Sequence, residues 1–184
     1  IPGTTWSENH MTSENALSGA TKTDGTLWMW GQNSEGQCAQ NSINSPANHG
    51  LSSPVQVPGT TWSTTAGALD AAGDGGVYCT KTDGTAWVWG RGSYGALGLN
   101  QPTNTHYSSP VQIPGTNWSE KCSSGFTNMA AIKTDGTFWV WGGGDSGQLA
   151  QGNQTNYSSP KQVPGTNWTG GTFCGSTTFF LATD

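Results

Sequence analysis

Two short segments have residue patterns that carry chemistry in other proteins. Residues 144–147 read Gly-Asp-Ser-Gly, the segment around the nucleophile of trypsin-like proteases, and residues 90–95 and 142–147 both satisfy Gly-x-Gly-x-x-Gly. A catalytic serine needs a base within hydrogen-bond reach, and a dinucleotide-binding loop needs a helix after its glycines. No histidine occupies an obviously partnered position, and Gln-Leu or Ala-Leu with a polar loop follows the glycines. We therefore interpret both patterns as turns.

The other reactive residue types also have structural explanations. Asp24, Asp83 and Asp135 each precede a glycine, which is typical of a turn and needs no metal or acid–base role. The three histidines share no common position, and we expect them to be solvated loop residues: His10, His49 and His106. The sequence thus predicts a protein without a catalytic, cofactor or metal site.

The four cysteines show no Cys-x-x-Cys spacing for zinc. Cys38 stands where other repeats have leucine, and Cys79 stands where another has alanine, so both are expected to be small buried residues. A disulfide between Cys122 and Cys174 is left open.

A repeat of 50 to 56 residues organises the chain. Pro-Gly-Thr-x-Trp begins at residues 2, 58, 114 and 164, and Lys-Thr-Asp-Gly-Thr-x-Trp-x-Trp-Gly begins at 22, 81 and 133. Ser-Ser-Pro-x-Gln follows at 52, 108 and 158, which gives units of about 1–56, 57–112, 113–162 and an incomplete 163–184. All ten tryptophans lie in these motifs, so we predict that they pack between repeats: Trp6, Trp28, Trp30, Trp62, Trp87, Trp89, Trp118, Trp139, Trp141 and Trp168.

Each unit is predicted to form short strands. In residues 130–141 an Asp-Gly dipeptide separates two apolar segments, which is typical of a hairpin with both turn residues at positive φ, type I′. Trp139 and Trp141 point to one face of the outgoing strand, whereas Phe138 and Val140 point to the other. A strand that is apolar on both faces belongs inside stacked sheets. Units of this length without a helical period predict an all-β propeller with one sheet per blade.

These motifs resemble the regulator of chromosome condensation (RCC1) repeat family. In the third unit the resemblance rests on Gly125 before an apolar strand at 126–133, on Asp135-Gly136, and on residues 141–142 and 147–149. The second unit matches from Gly73 to Pro110-Val111, although Glu14 and Cys174 replace the early glycine in the first and last units. Family members typically close a seven-bladed ring. The resemblance implies that residues 1–184 form about three and a half blades, completed by the rest of the polypeptide or by a second copy.

Composition and charge argue against several partner classes. Charged residues make up 9% of the chain, and its net charge is −5. Three lysines recur in the same motif, so no basic patch is visible, and a nucleic-acid partner is not expected. No apolar run approaches the about 20 residues of a membrane span, so membrane insertion is not expected.

The predicted binding elements are the connections after each Trp-Gly, because binding residues often lie on loops of a rigid scaffold. The candidate binding residues are Glu35, His49, Arg91, Tyr94, His106 and Asp145. The repeats also resemble RCC1-like modules of phage virion and bacterial surface proteins. That resemblance implies a structural or adhesive propeller of a larger protein, located outside the cell, on its surface or on a virion, with a protein or surface-glycan partner.

Other functions remain open. A dedicated protein-binding propeller, such as a secreted enzyme inhibitor or an RCC1-type exchange factor, would need an aromatic and charged cluster, for which Arg91 and Tyr94 are the adjacent candidates. A lectin would need an exposed aromatic in each unit, whereas the repeated tryptophans are expected to be packed. The Gly-Trp-Arg-His-Thr motif of a plant ultraviolet receptor of this family is missing from the sequence.

Overall fold

The computed structural model describes residues 5–12, 16–43, 50–174 and 177–182. The first sheet contains β1 (Trp6–Thr12), β2 (Leu17–Lys22), β3 (Leu27–Gly31) and β4 (Leu51–Gln56). The second contains β5 (Leu69–Ala71), β6 (Gly76–Thr80), β7 (Ala86–Gly90) and β8 (Tyr107–Gln112). The third contains β9 (Trp118–Ser124), β10 (Asn128–Lys133), β11 (Phe138–Gly142) and β12 (Tyr157–Val163), and β13 (Trp168–Cys174) pairs with β14 (Thr177–Ala182).

The sheets are successive blades of a β-propeller, which confirms the predicted fold class. Within each four-stranded sheet the strands pair antiparallel in chain order. The first strand of each sheet lies against the first strand of the next, so β1, β5, β9 and β13 line one side of the arrangement. Of the described residues, none belongs to a helix with the length and apolarity that crossing a bilayer requires.

Both faces of β11 pack against buried residues, as the sequence predicts, whereas Trp28 and Trp30 of β3 are only partly buried. Trp139 and Trp141 pack with Val88 of the second sheet, whereas Phe138 and Val140 belong to the cluster on the opposite side. Trp141 is fully buried, and burying one indole stabilises the fold by up to about 5 kcal/mol. The stack therefore alternates, with the aliphatic face of one sheet against the tryptophan face of the next.

A glycine loop in one sheet locks onto the outer strand of the next sheet. A Cβ at Gly95 would lie 2.6 Å from Ser158 Cα, so only glycine permits this approach. The Asn100 N–H donates to the Ser158 carbonyl at 2.6 Å, and Trp141 Nε1 donates to the Ala96 carbonyl at 2.7 Å. The same contacts join the first and second sheets through Gly36, Asn41, Ser108, Gln37 and Trp89. The repeated Ser-Ser-Pro and Trp-x-Trp motifs thus join neighbouring blades.

The Asp-Gly hairpins use a different turn from the predicted type I′. Gly25 has a φ of +79°, but Asp24 is not among the residues with positive φ. The Gly25 N–H donates to the Lys22 carbonyl at 2.9 Å, and the Lys22 N–H donates to the Thr26 carbonyl at 2.8 Å. This is a three-residue loop, a type I turn followed by a left-handed glycine. The prediction was wrong because pairing of Thr21 with Leu27 leaves more than two residues in the loop.

Candidate functional site

Antiparallel pairing in chain order places alternate connections at opposite ends of each sheet. The β1–β2 and β3–β4 connections and their equivalents lie at one end, which we call the loop face. The Asp-Gly turns and the Pro-Gly-Thr connections lie at the other end, the turn face. Of the binding residues predicted from the sequence, His49 lies outside the described residues, and the others all belong to loop-face connections.

On the turn face, the tryptophan rings are covered by neighbouring groups. Trp87 Nε1 donates to Thr85 Oγ1 at 2.9 Å, and the Thr85 hydroxyl donates to Asp83 Oδ1 at 2.6 Å. Hydrogen bonds from Thr85 lower the pKa of Asp83, and the bond from the hydroxyl has a larger effect than the bond from the backbone N–H. Lys81 Nζ lies 4.3 Å from the Trp87 ring centre and 4.8 Å from that of Trp62. Lys22 and Lys133 repeat this cluster, which makes it structural and disfavours one sugar-stacking site per blade.

The loop face has a groove of about 620 Å³ between the second and third sheets, within the usual size range of ligand sites. Arg91 and Tyr94 reach it from the β7–β8 connection, Asp74 from β5–β6 and Phe126 from β9–β10. The structure therefore brings Arg91 and Tyr94, which the sequence analysis singled out, into one groove with Asp74 and Phe126, which it did not.

An ion pair fixes the charged part of this groove. Arg91 Nη1 lies 3.1 Å from Asp74 Oδ1, and the Asp74 side chain is 12% exposed against 43% for Arg91. Arg91 Nε also donates to Ser93 Oγ at 2.9 Å. These contacts orient the guanidinium group and cancel its charge locally.

Two aromatic side chains at the groove face solvent. Tyr94 is 46% exposed and Phe126 is 47% exposed. Tyr94 also has a φ of +55°, in the left-handed region that costs a residue other than glycine about 1–2 kcal/mol. Glu35 and Ser146 hold the same repeat position and are not among the residues with positive φ. Strain at one exposed aromatic residue, absent from its repeat equivalents, favours a functional role for that residue.

Backbone hydrogen bonds hold the walls of the groove in place. The Asp74 N–H donates to the Phe126 carbonyl at 2.8 Å, which links the connections of two sheets. The Asn104 N–H donates to the Gly92 carbonyl at 3.1 Å, which ties the two ends of the long β7–β8 connection together. The groove is therefore shaped before any partner arrives, which reduces the entropy lost on binding.

Phe126 and Asp74 were missed for different reasons. The sequence placed Phe126 in an apolar strand at 126–133, but this was wrong, since β10 begins at Asn128. The Gly125 N–H donates to the Asn128 carbonyl at 3.0 Å, and this tight turn keeps Phe126 out of the strand. Asp74 lies among glycines and was not singled out. One signal was available, because the same repeat position holds a neutral amide at Asn15, a carboxylate at Asp74 and an aromatic ring at Phe126.

Glu35, His106 and Asp145, the other predicted binding residues that the structure describes, lie outside the groove. His106 Nε2 is 3.5 Å from Glu35 Oε2, and the Gly92 N–H donates to His106 Nδ1 at 3.1 Å. His106 is a loop residue, as expected, but the sequence gave no sign of these partners because they come from separate connections. Asp145 is exposed and accepts a hydrogen bond from Gln148 Nε2 at 3.3 Å.

The cysteines belong to the packing of the blades. Cys38 and Cys79 are fully buried, as predicted, and burial raises the pKa of Cys38 to about 12. Cys122 donates its thiol hydrogen to the Gly67 carbonyl at 3.0 Å, and the pairing with Cys174 that the sequence left open involves a side chain outside the described residues. Within the described ranges, no cluster of three or more His, Cys, Asp or Glu residues is placed to hold a metal ion.

Sequence comparisons point to one repeat type. The family model of the Regulator of chromosome condensation (RCC1) repeat matches residues 83–132 and 135–180. Over 137 residues, 72% of this chain, the identity to E3 ubiquitin-protein ligase HERC2 of Homo sapiens is 27%, covering 3% of that ligase. Over 74 residues, 40% of this chain, the identity to Regulator of chromosome condensation of Xenopus laevis is 35%, covering 17% of that protein.

Solved structures share the fold at lower identity. Prp20p from Saccharomyces cerevisiae, which has binding properties to Gsp1p and histones, superimposes with a TM-score of 0.74 at 18% identity, covering 95% of this chain and 42% of Prp20p. Human WBSCR16 gives a TM-score of 0.71 at 23% identity, covering 92% of this chain and 43% of that protein. The chain spans less than half the length of these relatives, and identities this low show the fold alone.

Proposed function

Because the chain belongs to the RCC1 repeat family, we propose that it is a non-catalytic propeller module that binds a protein partner through its loop face. The single observation that carries this proposal is the distribution of exposed apolar side chains. Among the residues whose side-chain burial the structure describes, the exposed large hydrophobic residues are Ile43, Tyr94 and Phe126, and all three project from loop-face connections.

The chemistry of this face supports a protein partner. Tyrosine and arginine are enriched among the residues that dominate binding energy at protein interfaces. Here Tyr94 and Arg91 share a groove with Phe126, and interblade hydrogen bonds fix its walls. On the turn face, by contrast, the Lys81 and Lys133 ammonium groups lie over the Trp87 and Trp139 rings and cover them. Prp20p, which has the same fold, binds Gsp1p and histones, so protein binding is compatible with this architecture.

More specifically, we propose that the chain is a structural or adhesive module of a larger surface or virion protein. A composition with only 9% charged residues and 28 glycines supports it by association. In this form the module acts outside the cell, and further blades of the same polypeptide or a second copy complete the ring. An RCC1-type exchange factor or a secreted inhibitor is the alternative, in which the loop face binds one dedicated partner.

Affinity capture tests the proposal. The immobilised chain is exposed to extract of the source organism and its surroundings, and bound proteins are quantified for the wild type, the Tyr94→Ala/Phe126→Ala variant and a turn-face control, Thr82→Ala. Thr82 is an exposed turn-face residue, so its replacement leaves the groove intact. We expect a specific partner with the wild type and the control, and at least about tenfold less with the double variant, a loss of roughly 1.4 kcal/mol or more.

The purified partner is then titrated against each variant by calorimetry, after circular dichroism has shown that each variant is folded. A partner that binds the double variant as well as the wild type would place the contact elsewhere. A partner that is lost with Thr82→Ala and retained by the double variant would move the site to the turn face.

A further inference from the structure

The groove between the second and third sheets is electrically balanced. Asp74 and Arg91 are the charged residues among those that line it, and their side chains pair at 3.1 Å. A cationic side chain entering the groove would be attracted by the aromatic rings and by Asp74 but repelled by Arg91. An anionic side chain would meet the opposite balance. The geometry therefore gives no net advantage to a charged anchor.

The rings favour an uncharged apolar anchor instead. Tyr94 and Phe126 border the same groove, and almost half of the surface of each residue is exposed to water. Covering these rings with an apolar side chain removes apolar surface from water, which is the main driving force for association. Aromatic pairs add a further favourable term when their rings meet edge to face or offset.

The rest of the lining suits a peptide backbone. Thr103, Asn104, Thr127 and Asn156 supply hydroxyl and amide groups around the rings. Such groups can donate to and accept from the N–H and C=O groups of an extended segment. Loops rich in Tyr, Ser, Asn and Gly recognise proteins in the same way in antibodies, with rigid aromatic anchors and adaptable polar contacts.

We propose that this groove binds an extended segment of the partner protein through one uncharged aromatic or large aliphatic side chain, which lies against Tyr94 and Phe126. The proposal rests on the proposed function and specifies the chemistry of its partner. Arg91, held by Asp74, donates to backbone carbonyls of the segment and does not select for charge.

The test uses the 184-residue chain labelled with nitrogen-15 and followed by heteronuclear NMR. Four probes are titrated: capped tripeptides with a central Phe, Lys or Glu between alanines, and N-acetyllactosamine. We expect the Phe peptide to shift the amide signals of Gly92, Tyr94 and Thr127, and to bind at least about fivefold more tightly than the charged peptides. Raising the salt concentration from about 0.05 to 0.5 M should change its affinity less than about twofold, because no net charge is involved.

Tyr94→Ala and Phe126→Ala should each weaken binding of the Phe peptide at least about fivefold, whereas Thr82→Ala, at an exposed turn-face residue, should leave it unchanged. Preferential binding of the Lys or Glu peptide would overturn the proposal, and so would shifts with the saccharide alone. Absence of any shift with the Phe peptide would also overturn it. Each of these outcomes can occur while affinity capture still finds a loop-face partner, so the two proposals fail separately.

Discussion

The lock between blades can be tested by replacing one glycine and its repeat equivalent. Gly95 and Gly147 hold the same repeat position, with φ values of +83° and +77°. A Cβ at Gly95 would lie 2.6 Å from Ser158 Cα, whereas a Cβ at Gly147 would have nothing within 4 Å. Gly95→Ala and Gly147→Ala therefore share the same backbone strain, and only the first also meets a neighbouring blade.

The expected magnitudes follow from these two terms. Placing alanine in the left-handed region costs about 1–2 kcal/mol at either position. Overpacking against backbone atoms adds about 1–3 kcal/mol at Gly95, because Ser158 cannot move without disturbing β12. We expect Gly95→Ala to lower the free energy of unfolding by about 2–5 kcal/mol and Gly147→Ala to lower it by about 1–2 kcal/mol.

Urea denaturation followed by circular dichroism and tryptophan fluorescence measures both variants against the wild type. Thermal melts give a second measure, since about 1 kcal/mol shifts the midpoint by about 2–4 °C for a chain of this size. Gly36→Ala should behave like Gly95→Ala, because its Cβ would lie 2.5 Å from Ser108 Cα. Equal destabilisation by Gly95→Ala and Gly147→Ala would refute the interblade lock.

Three further predictions concern the repeat motifs. Trp89→Phe should lower the free energy of unfolding by about 1–3 kcal/mol in urea denaturation, because the buried Gln37 carbonyl loses the indole N–H that donates to it at 2.7 Å. An unchanged midpoint would contradict this contact. Hydrogen bonds from Thr85 lower the pKa of Asp83 below its ordinary value of 3.8, so the stability that they supply is present above that value and lost as the pH falls through the folded-state pKa. Asp83→Asn should therefore lower the urea midpoint at pH 7 and have less effect near pH 3, and an equal loss at both pH values would count against the bond. Because burial raises the pKa of Cys38 to about 12, its thiol should resist iodoacetamide at pH 8 in the folded chain and react in urea, as followed by mass spectrometry of its peptide; rapid labelling of the folded chain would show that it is exposed.

The fold was largely predictable because its signals are local and repeated. The alternation of Trp139 and Trp141 with Phe138 and Val140 predicted a strand buried on both faces, and the clusters on its two sides confirm this. The same local reasoning found the Asp-Gly hairpins but chose the wrong turn, since the loop length depends on which residues pair across the strands. The dipeptide alone does not specify that pairing.

The candidate site was predictable only in part. Arg91 and Tyr94 stood out because they are close together in a connection that varies between repeats. Their partners Asp74 and Phe126 belong to other connections, and their backbones meet through an interblade hydrogen bond of 2.8 Å. The sequence pattern does not predict this hydrogen bond, because the bond depends on how one sheet packs against the next.

By itself, the sequence determined the repeat, the class of fold and the burial of both faces of a strand such as Phe138–Gly142, since strand alternation and turn chemistry act over a few residues. The tertiary structure decided which loop residues share a groove and which glycines must lack a side chain. Those properties depend on the distance between backbones that are 50 or more residues apart in the chain, and only the packing of whole blades sets that distance.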